Sequence, residues 1–109
     1  MITVSVEMAL PSVANISEHW AAKARRVKSQ RNTVGWLLRA SRVHHNLPLA
    51  HWPLVVTMTR VYTGRSRAYD WDNLASAFKA TRDEVAAYLG IDDADPRVTF
   101  VCRQERGAK

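Results

Sequence analysis

The segment Tyr69-Asp70-Trp71-Asp72-Asn73 sets two carboxylates two residues apart, and Gly90-Ile91-Asp92-Asp93-Ala94-Asp95 brings three more after a stretch of helical periodicity. In an extended backbone, residues two apart project to the same side, so Asp70 and Asp72 are expected to present their carboxylates together while Trp71 turns the other way. Seven of the ten acidic residues fall between Asp70 and Asp95, and carboxylates gathered in this way repel one another unless a cation lies among them. Hard cations such as Mg²⁺ and Mn²⁺ favour oxygen donors and need few protein carboxylates, which leaves coordination positions for water and phosphate oxygens. Such an ion at a phosphodiester neutralises the phosphate, lowers the pKa of a bound water and steadies the leaving oxygen, with no nucleophilic side chain required. The competing reading takes the same aspartates as turn formers and helix caps, two places that Asp favours. An EF-hand is excluded, because neither the loop glycine nor the terminal glutamate follows the D-x-D at the required spacing.

The rest of the chain is strongly basic. Residues 1–69 hold ten Lys or Arg and only two acids, Glu7 and Glu18, whereas residues 70–109 hold six basic and eight acidic residues. Lys23, Arg25, Arg26, Lys28, Arg31, Arg39 and Arg42 follow one another without an intervening acid. A solvated helix face ordinarily mixes the two signs, so a run of one sign points to a polyanion, whose phosphates would relieve the repulsion. Arg60, Arg65 and Arg67 lead into the acidic segment, and Arg65 and Arg67 are expected near the scissile phosphate.

The elements that must position these groups follow from periodicity. Ile2, Val4, Val6 and Met8 alternate as in a half-buried strand, and Pro11 ends it. A helix is expected from Ser17, as its cap, to about His44, with Gly35 as its weak point. Leu47 to Pro53 reads as a connector and Leu54 to Tyr62, rich in β-branched residues, as a second strand. Asp72 or Asn73 can cap a second helix whose buried stripe is Leu74, Ala77, Phe78, Thr81, Val85 and Leu89, stopped by Gly90. Val98, Phe100 and Cys102 alternate on a third strand from Arg97 to Arg103, and the tail from Glu105 is expected to fray. The order β-α-β-α-β predicts an α/β (α+β) fold, with a mixed sheet packed by two main helices, over residues 1–109 as one domain. With 109 residues and 47% hydrophobic content, one core is expected. No secretory signal or membrane span is read, and the lone Cys102 excludes an internal disulfide and a zinc site built on several thiolates. The expected setting is a reducing cytoplasm.

The pattern Asp70-x-Asp72-Asn73-Leu74, a helix, then Gly90-Ile91-Asp92-Asp93 resembles the RusA-like family of endodeoxyribonucleases that resolve Holliday junctions. Leu10-Pro11-Ser12 with Asn15 and Trp20 is similar to that family's proline and asparagine segment, so the resemblance covers most of the chain. It implies a homodimeric, Mg²⁺-dependent nuclease of four-way DNA junctions, with Mn²⁺ as a substitute metal and Asp70, Asp72 and Asp93 as metal ligands. Two positions depart from the pattern. The lysine usual four residues after the second aspartate is Ser76 here, and the nearest lysine, Lys79, lies about 60° round and roughly one turn further along a helix. Lys79 either reaches a phosphate in catalysis or pairs with Asp83 at i+4. Trp71 replaces an aliphatic residue and reads as core, with base stacking the alternative.

The DNA-contacting set on this reading is Lys23, Arg25, Arg26, Lys28, Arg31, Arg65 and Arg67. Trp36, Leu37 and Leu38 read as a buried stripe of the first helix or as a dimer interface. Cys102 reads as packed rather than reactive. His44, His45 and His51 lack a second-shell pattern and read as non-ligands. Two other functions compete with the nuclease: a catalytically inactive DNA-binding module, which the replaced lysine favours, and a Mg²⁺-dependent hydrolase of small phosphate esters, which leaves the basic helix without a role.

Overall fold

A computed structural model of the chain describes residues 8, 10, 19–41, 53–92 and 94–107. In chain order these form α1 (Trp20–Ala40), β1 (Leu54–Tyr62), α2 (Trp71–Ala77), α3 (Lys79–Leu89) and β2 (Val98–Arg106). The fold is α+β: three helices and a two-stranded sheet. Alternation in β1 turns Leu54, Val56, Met58, Arg60 and Tyr62 inward and leaves Val55, Thr57, Thr59 and Val61 exposed. β1 and β2 run parallel, in register from Leu54 opposite Val98 to Tyr62 opposite Arg106. Parallel neighbours need a long crossover, and α2 with α3 supply it. The strand expected at Ile2 to Met8, which would make the sheet mixed, lies outside the described residues except for Met8. No helix among the described residues is long and apolar enough to cross a membrane.

The core lies between the sheet and the crossover. Met58, Leu74 and Phe78 are buried together, with Val56, Tyr69, Phe100, Cys102 and Leu10 packed against them. The single helix expected after Asn73 is two helices. Phe78 (φ −89°, ψ −1°) separates α2 from α3, while its N–H still bonds Leu74 O at 3.1 Å. The break has a packing reason: Leu74 and Phe78 face the sheet, whereas α3 packs on α1 and buries Ala80, Val85 and Ala86. Thr81 and Leu89, expected in the stripe, are accordingly half-buried. Gly90, at φ 72°, ends α3 as expected, and Ile91 N–H closes back on Ala86 O at 3.0 Å.

α1 differs from expectation at both ends and at its middle. Its cap is His19, whose Nδ1 accepts from Ala21 N–H at 3.2 Å, and it ends at Ser41; Ser17, Arg42, His44, His45 and His51 lie outside the described residues. α1 runs unbroken through Gly35. That glycine is buried, and a Cβ there would stand 2.8 Å from Glu84 Oε2, so its missing side chain leaves room for the Glu84 carboxylate. Arg31 Nε donates to Glu84 Oε1 at 3.0 Å and ties the two helices together. The buried residues of α1 are Gln30, Val34 and Gly35; Trp36 is 67% exposed and Leu37 and Leu38 only half-buried. The face turned to α3 therefore centres one turn before the expected stripe.

β2 also outruns its expected end. Arg106 pairs with Tyr62, donates to Gly64 O at 3.0 Å and lies 5.0 Å from the Tyr62 ring centre, while Gly107 N–H reaches Tyr62 O at 2.9 Å. These contacts hold the segment that was expected to fray from Glu105.

Leu74 is fully buried (0% exposed), so Leu74→Ala should destabilise the fold by about 2–5 kcal/mol, while volume-conserving Leu74→Met should cost under about 1.5 kcal/mol. Chemical denaturation of the two variants checks this.

Candidate functional site

The loop between Tyr62 and α2 is held by side chains of both strands. Gln104 reads the backbone of Tyr69 twice: its Oε1 accepts Tyr69 N–H at 2.9 Å and its Nε2 donates to Tyr69 O at 2.6 Å. The Arg60 guanidinium stacks 3.7 Å from the Tyr69 ring centre and donates to Arg67 O at 3.0 Å and Gln104 Oε1 at 3.4 Å. Tyr69 completes the anchor by donating its hydroxyl to Leu10 O at 2.9 Å. Sequence reasoning passed over Gln104, Tyr69 and the inward role of Arg60. The available signal was the alternation of β2, which puts Gln104 on the same face as Val98, Phe100 and Cys102.

The anchor fixes the residue that follows it. Asp70, in an extended conformation, is the cap of α2: its Oδ1 accepts Asn73 N–H at 2.8 Å and its carbonyl accepts Leu74 N–H at 2.9 Å. Asp70 thus takes the capping role expected of Asp72 or Asn73. Asp72 falls in the first turn of α2, where a helix N-terminus favours a carboxylate. Because the helix begins at Trp71, the strand-like alternation expected here does not apply, and Trp71 is 73% exposed rather than core. Asp70 and Asp72 are both exposed and form no ion pair among the described residues, where three of their four carboxylate oxygens carry no bond. Hard oxygens facing solvent on a fixed helix start fit a hard cation.

The acids of the second segment are differently placed. Asp93 lies outside the described residues. Asp92 Oδ1 accepts Ala94 N–H at 2.9 Å, and Asp95 holds Arg97 through two side-chain bonds, at 2.8 and 3.1 Å, and one backbone N–H at 2.9 Å. They stand just before Val98, whereas Tyr69 is held at Gln104, about 20 Å of strand further on at ~3.3 Å per residue. Among the described residues, no three acidic, His or Cys side chains come together as a metal site.

Of the basic candidates, Lys23, Arg25, Lys28, Arg65 and Arg67 are exposed, Arg26 is half-buried and Arg31 is committed to Glu84. Lys79, on the first turn of α3, pairs with Asp83 at 3.2 Å. A depression of about 590 Å³ lies beside α1, lined by Trp20, Lys23, Val27, Lys28, Arg31 and Glu84 among others. Cys102 packs in the core, and burial pushes its thiol pKa up.

Two predictions follow from this geometry. Gln104→Ala should cost about 1–3 kcal/mol by stranding the Tyr69 amide groups, and hydrogen exchange at the Tyr69 N–H should accelerate while that of Val34 in α1 stays as in the wild type. The side-chain bonds from Arg97, then its backbone N–H, lower the Asp95 pKa from 3.8 to about 2. A depressed folded value means that the contact stabilises above 3.8 and is lost as pH falls through about 2. In Arg97→Ala, a carboxyl NMR titration should find the Asp95 midpoint back near its ordinary value. Comparison of the chain with family models, curated proteins and solved structures finds no match.

Proposed function

We propose that the protein is a Mg²⁺-dependent endodeoxyribonuclease of four-way DNA junctions, acting in the cytoplasm as a homodimer. The observation that carries the reading is where the unpaired acids lie: in a chain of sixteen basic residues, Asp83, Glu84 and Asp95 each hold a cation, while Asp70 and Asp72, like Asp92 and Glu105, hold none among the described residues, and of these four Asp70 and Asp72 share one helix start. Acids kept free beside exposed Arg65 and Arg67 suit a site that takes its positive charge from a metal and its phosphate from a substrate. Asp70 and Asp72 would hold the ion, with water and phosphate oxygens completing its coordination, and Mn²⁺ would substitute. When bound, the metal supplies an activated water and charge stabilisation at the phosphodiester. Arg65 and Arg67 would hold the phosphate from the protein side, and Gln104 with Arg60 would keep the loop from shifting as it binds. A symmetric junction takes two incisions, and a two-fold dimer offers two equivalent sites.

A second reading, a DNA-binding module without nuclease activity, is favoured by one observation: Asp92 and Asp95 are engaged at the start of β2, and Lys79 is paired with Asp83. The two readings divide on one substitution. Asp72 makes no side-chain hydrogen bond among the described residues, and Asn keeps its size, so Asp72→Asn should leave melting and metal-free junction binding intact. It should lower Mg²⁺-dependent nicking by more than about a hundredfold, the equivalent of ~3 kcal/mol at the transition state. Wild-type protein that binds a labelled junction and never nicks it supports the module.

The DNA contact has its own test. Replacing Arg25, Lys28 and Arg39 together with Ala should weaken duplex binding and flatten the dependence of log affinity on log salt by up to about 3 units, because each phosphate contact releases counterions with a slope near −0.9. An unchanged slope in a filter-binding series would move the DNA surface off α1.

A further inference from the structure

Five residues of α1 at four-residue spacing, Trp20, Ala24, Lys28, Asn32 and Trp36, are all exposed. Four residues advance a helix by 400°, so they form one ridge that winds 160° round α1 over about 24 Å of its length. Its two ends are indoles, 75% exposed at Trp20 and 67% at Trp36. Between and beside them stand Arg25, Lys28 and Arg39, exposed and without ion pairs among the described residues. The whole of α1 contains no acid. Two large aromatic rings held in water on a cationic helix call for a partner that offers flat faces and negative charge together.

We infer that this ridge binds single-stranded DNA, with Trp20 and Trp36 as stacking platforms and Arg25, Lys28 and Arg39 following the phosphates. The inference rests on the DNA-binding part of the reading above and names the form of DNA that α1 takes. Unpaired bases leave a π-face open to each indole, whereas bases in an intact duplex are already stacked on one another. A second copy of the chain fits poorly, because a two-fold contact through this ridge would set the same cations against each other. An acidic peptide matches the charge but brings no flat rings for the indoles. A membrane surface needs a continuous apolar face, and here Lys28 and Asn32 interrupt it. Branched DNA supplies unpaired nucleotides where its arms open.

The test is fluorescence anisotropy of labelled oligo-dT, about 12 nucleotides long, in EDTA at fixed salt, with a duplex of equal length in parallel. Trp36→Ala should weaken oligo-dT binding about tenfold, within the range for losing one base–aromatic stack, and change duplex binding less than twofold. Trp20→Ala should behave alike, Trp36→Phe should retain most of the affinity, and the salt slope should match the wild type in all three. Oligo-dT affinity unchanged in both Ala variants, or lost equally with duplex affinity, overturns the proposal. So does polyglutamate competing as well as oligo-dT, or sedimentation showing a dimer that Trp36→Ala dissociates at unchanged oligo-dT affinity. No metal is present, so protein that binds oligo-dT as expected but fails to nick junctions with Mg²⁺ contradicts the nuclease reading alone.

Discussion

Everything about the candidate site depends on one side chain amide. Gln104 stands on the inner face of β2, where alternation would otherwise call for an apolar residue, and closes both its polar groups on the N–H and C=O of Tyr69. A backbone pair satisfied in this way behaves as one more rung of sheet, and Arg60 packed on the Tyr69 ring keeps water from competing for it. The loop from Thr63 to Tyr69 thereby becomes part of the parallel sheet, although it has no strand of its own. The next residue, Asp70, starts α2 from a fixed point. Its two roles are compatible, since capping engages Oδ1 and leaves Oδ2 outward.

The distribution of charge follows the same division between structural and available groups. Arg31 with Glu84 joins α1 to α3 across Gly35, Asp95 with Arg97 closes the turn into β2, and Lys79 with Asp83 lies along α3. Of these pairs the first, with Glu84 largely buried, bears on the fold; the exposed pairs contribute little to stability. Among the described residues, uncommitted groups include the carboxylates at the start of α2, with Arg65 and Arg67 before them, and the cations Arg25, Lys28 and Arg39 with two indoles on α1, which holds no acid. A protein that grips a nucleic acid at one surface and handles a phosphodiester at another needs this separation, because acids among the gripping cations would repel the phosphates.

The parts of the fold legible in the sequence were those set by strict local periodicity. Leu54 to Tyr62, the inward Val98, Phe100 and Cys102, and the stop at Gly90 all follow from alternation or backbone conformation, and the α+β class follows from their order. Where a neighbour decides, local pattern misleads. Gly35 reads as a weak point until Glu84 is seen to need its missing Cβ. The second helix reads as continuous until its two halves are seen to serve different partners. Trp71 reads as core because Tyr69 to Asp72 was taken as extended, whereas the chain turns helical at Trp71 itself and carries the ring outward. For Gln104, alternation gives the inward face, but the backbone it serves arrives from elsewhere in the chain and has no local signature.

The claim that Asp70 and Asp72 hold a divalent ion is open to direct measurement without any substrate. Titrating Mn²⁺ into ¹⁵N-labelled protein and following amide resonances locates the ion by the paramagnetic broadening it causes. A site at the start of α2 predicts that the signals of Asp70 to Leu74 broaden first, and that Asp72→Asn removes the effect at equal metal concentration. Broadening centred on Asp83 and Glu84, or equal at all exposed acids, would contradict it.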